Sequence, residues 1–264
     1  MILYYSGTGN SRYVAESLSA ALDDGRCFFL PHVAAEQLVC PADRLIFCFP
    51  VYSWGVPPFV LEYIDRFTES LVAELRETKV PVIAVITAGD EVARTPEMLE
   101  RKLRDKGLRL AAVWSVIMPN DYVLLPGFDV DSREVEMRKL AESRPRISHI
   151  ADCIMRGRFE RDVVVGSWPR LKTALVYPLF KRWGINPARW KASDACIGCG
   201  RCVRSCPVGN IHLSQQRPEW GRNCLSCTAC YQVCPVQAVS YGSFTKGKGQ
   251  YYCPESQASM KQKK

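Results

Sequence analysis

Eight of the thirteen cysteines in this 264-residue chain fall into two copies of one pattern. The first copy is Cys196-x-x-Cys199-x-x-Cys202-x-x-x-Cys206-Pro207, and the second is Cys224-x-x-Cys227-x-x-Cys230-x-x-x-Cys234-Pro235. Each corner iron of a [4Fe–4S] cubane needs one thiolate. Three cysteines two residues apart can wrap one cubane from a single short loop. The fourth, set further on and followed by proline, points away and serves the other cluster. The expected wiring is therefore crossed. One cluster takes Cys196, Cys199, Cys202 and Cys234, and the other takes Cys224, Cys227, Cys230 and Cys206. The chemistry implied is transfer of one electron at a time.

The rest of the repeat agrees. Pro207-Val208 returns as Pro235-Val236, and Ile211 returns as Val239. Ile197, Val203, Leu225 and Tyr231 can shield the clusters from water, and Gly198 and Gly200 let backbone amides approach the sulfurs. Zinc sites use cysteine pairs across a longer spacer, which this pattern does not. Disulfide scaffolds are usually short and secreted. Here the start, Met1-Ile2-Leu3-Tyr4-Tyr5, has no basic flank and reads as a buried strand rather than a targeting segment. A reducing cytoplasm is expected, in an anaerobe, because exposed clusters are oxygen-sensitive.

Hydrophobic residues make up 47% of the chain and charged residues 23%, which suits about two globular domains with a substantial core. No stretch approaches the ~20 apolar residues that cross a bilayer. The formal net charge is +8. Two oxidised cubanes with their thiolates subtract about four charges, and a phosphate up to about two more. The remainder is too small to imply nucleic-acid binding.

A second constellation lies at the N-terminus. Ser6-Gly7-Thr8-Gly9-Asn10-Ser11 follows a short strand, and Val14, Leu18 and Leu22 then recur at helical spacing. Such a loop aims backbone amides, hydroxyls and a helix dipole at an anion. Arg12 stands where a dinucleotide fingerprint needs a small residue, and no Gly-Lys-Ser/Thr ending marks a triphosphate site. The hydroxyls of Ser6, Thr8 and Ser11 suit one phosphate monoester, as in the FMN-binding loop of flavodoxins.

The elements that must position these groups alternate. Strands are expected over 26–30, 44–49, 80–87 and 110–118, and helices near 58–67, 96–106 and 132–154, the last kinked or broken at Pro145. The alternation predicts a flavodoxin-like, doubly wound α/β fold. Its parallel five-stranded sheet has the order 2-1-3-4-5, with ligands at the carboxyl ends of the strands. There, Pro50, Tyr52, Ser53, Trp54 and Gly55 offer aromatic walls for a flat ring. Thr87, Ala88, Gly89 and Asp90 offer amides for its polar edge. Pro119-Asn120-Asp121-Tyr122 is a weaker candidate for a fourth wall.

With those residues in view, the chain resembles the fused flavodoxin–ferredoxin proteins of anaerobes, the EFR-type ferrodoxins. The resemblance runs through SGTGNS, FPVYSWGVP, CIGCGRCVRSCPVGNI, RPEWGRNCLSCTACYQVCPVQAVSYG and the terminal YYCP. It implies noncovalent FMN at Ser6, Thr8, Gly9, Asn10 and Ser11 and at the two later loops. It also implies two [4Fe–4S] clusters in a C-terminal α+β ferredoxin domain.

The expected domains are 1–155 (flavodoxin-like), 156–191 (a basic helical connector), 192–243 (ferredoxin) and 244–264 (a polar, lysine-rich tail whose last residues are disordered). In the connector, Trp168, Leu171, Leu175, Leu179, Phe180 and Trp183 form a stripe expected to pack between the domains. A membrane-surface helix is the less favoured reading. Its basic residues read as a solvated face, with docking of an acidic redox partner as the alternative. Cys27, Cys40, Cys48 and Cys153 are expected to be buried thiols, Cys253 belongs to no cluster, and His32, His149 and His212 are expected to be structural. The function expected is an electron relay between the clusters and FMN, serving a redox donor or acceptor protein. The alternative is an FMN-dependent reductase with a small-molecule substrate.

Overall fold

The computed structural model describes residues 1–256. The expected disorder of the last residues therefore lies outside the described part. Six parallel strands form the main sheet in the order β2-β1-β3-β4-β5-β6. They are β1 (Ile2–Tyr4), β2 (Cys27–Phe29), β3 (Leu45–Pro50), β4 (Val82–Ala88), β5 (Leu110–Ile117) and β6 (Arg161–Asp162). The first five follow the doubly wound order 2-1-3-4-5. The sixth corrects the five-stranded expectation. Arg161 and Asp162 pair with Val113 and Trp114 at the open edge, so the connector begins as part of the sheet.

Both faces of the sheet are covered, which explains why its strands read as unbroken apolar runs. Leu3, Phe47, Phe49, Ala84 and Ile86 point into one core, against α2 (Pro58–Asp65), α3 (Glu69–Glu77) and α4 (Thr95–Asp105). Their alternating neighbours Ile2, Tyr4, Ile46, Cys48, Ile83 and Val85 point into the other. That side is covered by α1 (Asn10–Ala21) and α5 (Arg133–Met155). Leu18 of α1 is fully buried there, so truncating it to alanine should cost about 2–5 kcal/mol. No expected helix corresponds to α3, which starts where Thr68 accepts a hydrogen bond from the Leu71 amide at 3.1 Å.

Pro145 does not break α5, contrary to expectation. Its ring lies on the exposed side. Buried Leu140, Ile147, Ile150 and Ile154 hold both halves of the helix to the sheet, offsetting the lost amide bond. Of the four cysteines expected inside, Cys48 and Cys153 are buried, whereas Cys27 and Cys40 are partly exposed.

A continuous connector helix runs over 169–184. Its α-helical turns Pro169–Leu171 and Tyr177–Leu179 alternate with π-helical stretches Lys172–Val176 and Phe180–Gly184. Of the stripe expected to pack between the domains, only Phe180 is buried. Trp168, Leu171, Leu175, Leu179 and Trp183 face solvent, while Tyr177 and Phe180 point inward. Beyond it, β7 (Trp190–Ala192) pairs antiparallel with β10 (Val239–Tyr241), and β8 (Ile211–Ser214) with β9 (Arg217–Trp220). Because Trp190 and Lys191 pair with Tyr241 and Ser240, this second module starts at 190 rather than 192.

Residues 248–256 of the expected tail pack back onto the first domain. Lys248 donates to the Val123 carbonyl at 2.7 Å, and Tyr251 and Cys253 are buried in the core beside α1 and α5. Among the described residues, no helix is long and apolar enough to cross a membrane.

Candidate functional site

The two copies of the cysteine repeat come together around two voids. Cys196, Cys199, Cys202 and Cys234 line one small void, and Cys206, Cys224, Cys227 and Cys230 line another. The two copies share their backbone. Gly198, Gly200 and Gly209 adopt left-handed conformations (φ +65°, +69° and +60°), and so do their counterparts Ser226, Thr228 and Gln237 (+52°, +58° and +50°). The Asn210 amide donates to the Cys206 sulfur at 3.2 Å, and the Ala238 amide donates to the Cys234 sulfur at the same distance. Burial pushes the Cys227 thiol up to about 12 and raises Cys224 and Cys230. Thiolates at such positions need a bound cation, which fits a ligand set for iron.

Two tryptophans border the second void. The Trp190 and Trp220 rings stack 6.2 Å apart at 17°. Trp190 lies on the side of Cys224 and Trp220 on that of Cys230. Both indole N–H groups are buried and make no regular hydrogen bond among the described residues. Orphan donors aimed at a thiolate-lined void fit a group bearing sulfur acceptors.

A larger cavity of about 380 Å³ opens at the carboxyl ends of the sheet strands. That volume suits a small organic ligand. Ser6, Thr8, Asn10 and Ser11 line one end. Gly9 (φ +100°) turns the chain into α1, and no side chain caps the helix. The first-turn amides of α1 are thus left for an anion. Ser11 and Thr87 share a hydrogen bond of 2.7 Å between their hydroxyls, and Thr8 donates to Asp121. Asp121 sets a negative oxygen beside the loop, and burial pushes its carboxyl up to about 6. The loop is strapped from outside by the C-terminal segment. Cys253 donates its amide to the Thr8 carbonyl at 2.8 Å, Ser256 its hydroxyl to the Gly9 carbonyl at 2.7 Å, and Tyr251 its hydroxyl to Asn10 Oδ1 at 2.8 Å.

The middle of the cavity is aromatic. Tyr52 and Gly55 exchange two backbone hydrogen bonds of 2.9 Å, closing a tight turn. The turn holds Ser53 and Trp54 at positive φ (+45° and +61°). Such backbone costs of order 1–3 kcal/mol per residue and is typical of ligand sites. Trp54 donates to Glu91 at 2.7 Å and lies under the Lys172 ammonium at 5.3 Å. Phe128 meets Trp54 edge-on at 6.1 Å, and Phe180 meets Tyr52 at 6.0 Å. The connector helix thus roofs the cavity. Thr173 donates to the Trp54 carbonyl at 2.7 Å and Tyr177 to the Val56 carbonyl at 2.6 Å.

The third wall belongs to the cysteine module, for Ser226, Cys227 and Thr228 line the same cavity. The buried Ser226 hydroxyl has no partner among the described residues. Gly7 is pressed onto this wall, and a Cβ there would lie 2.5 Å from the Cys227 carbonyl oxygen.

Of the expected ring and phosphate contacts, Pro50, Tyr52, Ser53, Trp54, Thr87, Ala88, Gly89 and Asp90 join the four loop residues in the cavity. Gly9 and Gly55 do not line it. Gly9 packs under Cys253 and Ser256, and Gly55 lies under the Tyr177 ring. Asp121 and Tyr122, the weaker candidates, do line it. Glu91, Lys172 and Phe180 were missed, whereas Leu125 and Phe128 fall in the 119–130 segment expected to build a cavity over the ring under the reductase alternative. The missed residues come from a loop or from the far connector, and no spacing in the sequence links them to the glycine loop.

Residues 190–239 match the family model described as a 4Fe-4S dicluster domain. No curated protein sequence matches the chain. Among solved structures, the two-electron reduced flavodoxin of Megasphaera elsdenii is similar at 15% identity, covering 44% of this chain and 85% of its own, with a TM-score of 0.34. The Trp repressor binding protein of Bacillus subtilis is similar at 12% identity, covering 59% and 96%, with a TM-score of 0.38. Scores this low leave the assignment of the first domain to its strand order. The chain joins a flavodoxin-like α/β fold to a C-terminal 4Fe–4S dicluster domain, the architecture of an iron–sulfur electron-transfer protein.

Proposed function

We propose that this protein is an electron-transfer iron–sulfur flavoprotein of the EFR-type ferrodoxin kind, which relays single electrons between two [4Fe–4S] clusters and FMN. One observation carries the reading: Cys227, a cluster ligand, lines the cavity that ends in the phosphate-type loop. When bound, cubanes exchange electrons singly and a flavin holds one or two. The residues supply binding and distance. The open N-terminus of α1 and the hydroxyls of Ser6, Thr8 and Ser11 would hold the phosphate. Tyr52, Trp54 and Phe128 would flank the ring, and Gly89, against which the Asn120 side chain is packed, would lie at its edge. Gly7 lets the cysteine module close to van der Waals contact, which keeps any transfer path short. A reducing cytoplasm and a redox protein donor or acceptor belong to the same reading.

The test uses anaerobically purified protein, expected to carry about eight irons and one FMN per chain. Photoreduction at the metal centres should bleach the flavin absorbance. A fully loaded protein whose flavin stays oxidised would overturn the relay.

The roof over the cavity, built by Phe128, Lys172 and Phe180, favours a second reading: reduction of a small molecule at the flavin. A screen of small oxidants against the photoreduced protein separates the two. Rates that saturate with oxidant support a substrate site, and strictly linear rates support a carrier.

A further inference from the structure

The connector helix turns its most apolar side to solvent. Trp168 is 75% exposed, Trp183 59%, Leu171 56%, Leu175 53% and Leu179 41%. The π-helical stretches widen the turn toward four residues or more, so 171, 175, 179 and 183 line up as one straight row. The opposite row is fixed to the protein by Thr173 and Tyr177. The exposed face is therefore a rigid platform rather than a loose segment. Val164 and Val165, 47% and 41% exposed, add to the apolar surface just before it.

The charge around this face has one sign. From Val163 to Ser193 the sequence holds Arg170, Lys172, Lys181, Arg182, Arg189 and Lys191, and no aspartate or glutamate. Among the described residues only Lys172 of these six has an ion pair, with Glu91. The Arg182 guanidinium lies 5.3 Å over the Trp183 ring and the Lys181 ammonium 5.4 Å over the Tyr177 ring. The charged head of Arg182 beside the exposed Trp183 ring, at one end of the apolar row, suits a boundary between water and hydrocarbon.

We propose that this face docks the protein on an anionic lipid surface, with the helix lying in the plane of the headgroups. Its exposed row spans roughly 20 Å, too short to cross a bilayer but long enough to lie along one. Trp168 and Trp183 stand at its two ends, where indoles anchor at headgroup depth. Between them the row offers only hydrocarbon, with no group to hydrogen-bond a protein partner. A second copy of the chain would bring two basic segments face to face. Anionic headgroups complement Arg170, Lys181 and Arg182, the helix charges that remain once Lys172 is paired with Glu91. Because the inner side of the same helix roofs the candidate flavin cavity, docking would hold that cavity within one helix diameter of the bilayer.

The test is flotation of the holoprotein with vesicles of equal parts phosphatidylglycerol and phosphatidylcholine, against vesicles of phosphatidylcholine alone. Binding to the anionic vesicles should be stronger by about tenfold or more and should fall with added salt. The variant Trp168→Ser/Leu175→Ser/Trp183→Ser should lose about tenfold or more of that binding while keeping its iron and flavin content, since all three side chains are exposed. Replacing Arg170, Lys181 and Arg182 with glutamine should abolish the preference for phosphatidylglycerol. Three results would overturn the proposal. One is no flotation with anionic vesicles at low salt. Another is equal flotation of the serine variant. The third is a dimer, seen by light scattering, that the serine variant dissolves, which would make the face an interface between copies.

Discussion

Replacing Trp190 or Trp220 with phenylalanine should lower the reduction potential of one cluster and leave the other alone. The indole N–H groups border the void of Cys206, Cys224, Cys227 and Cys230 and make no regular hydrogen bond among the described residues. A hydrogen bond to a charged acceptor contributes about 1.5–3 kcal/mol. Adding one electron takes a cubane with its thiolates from roughly −2 to −3. About a third of each bond should therefore discriminate between the two states, or about 0.5–1 kcal/mol. For a one-electron couple, about 1.4 kcal/mol corresponds to 59 mV. Each indole should thus raise the potential by about 20–40 mV. Phenylalanine keeps a ring in the 17° stack and against Tyr241, 4.9 Å from Trp190, so packing changes little. Potentiometric titration of the loaded protein followed by electron paramagnetic resonance resolves the two clusters. A rise in potential, no change in either variant, or a shift confined to the Cys196 cluster would refute the reasoning.

Cys206→Ala should cost iron mainly from the cluster held by Cys224, Cys227 and Cys230. Iron analysis and spectroscopy of the surviving cluster check the crossed wiring. Gly7→Ala places a methyl group 2.5 Å from the Cys227 carbonyl oxygen. It should destabilise the protein by about 1–3 kcal/mol and loosen flavin binding, measured by thermal unfolding and flavin content. Gln237→Gly removes a left-handed glutamine where the first repeat has glycine. It should stabilise by about 0.5–1 kcal/mol in denaturant unfolding. Burial raises the folded value of Asp121 to about 6 from 3.8, so the folded state holds its proton more tightly. The cost of ionising it is absent below the unfolded value and grows as pH rises through about 6. A charged Asp121 also repels a phosphate. FMN affinity should therefore weaken over that window, more steeply than in Asp121→Asn, as followed by flavin fluorescence on release.

What could be read from the sequence was what repeats or runs. The eight cysteines carry their geometry in their spacing, and the buried strands β3, β4 and β5 are long enough to show as apolar runs. By contrast, β6 is two residues long and has no period, so only its position beside Val113 and Trp114 makes it a strand. The connector's stripe was visible, but periodicity locates a face without saying what lies against it. Here the inward contacts fall to Thr173 and Tyr177 and, of the stripe itself, to Phe180 alone. Cys253 and Tyr251 were visible only as part of the terminal YYCP; their contacts were not, because their partners, Thr8 and Asn10, are more than 240 positions away. Gly9 and Gly55 were expected to meet the ligand. Both instead leave room for protein atoms, a use of glycine that a motif does not distinguish from ligand approach.

The strap of residues 251–256 over the N-terminal loop sets an order of events during synthesis. The ribosome makes Thr8 and Gly9 long before Cys253 and Ser256, so their carbonyls receive that amide and that hydroxyl only once the later segment has emerged. The nascent sheet can form long before that, with its phosphate-type loop still unbuttoned. Maturation of the loop should therefore wait on residues 251–256, and deleting that strap should be felt first at the turn through Gly9.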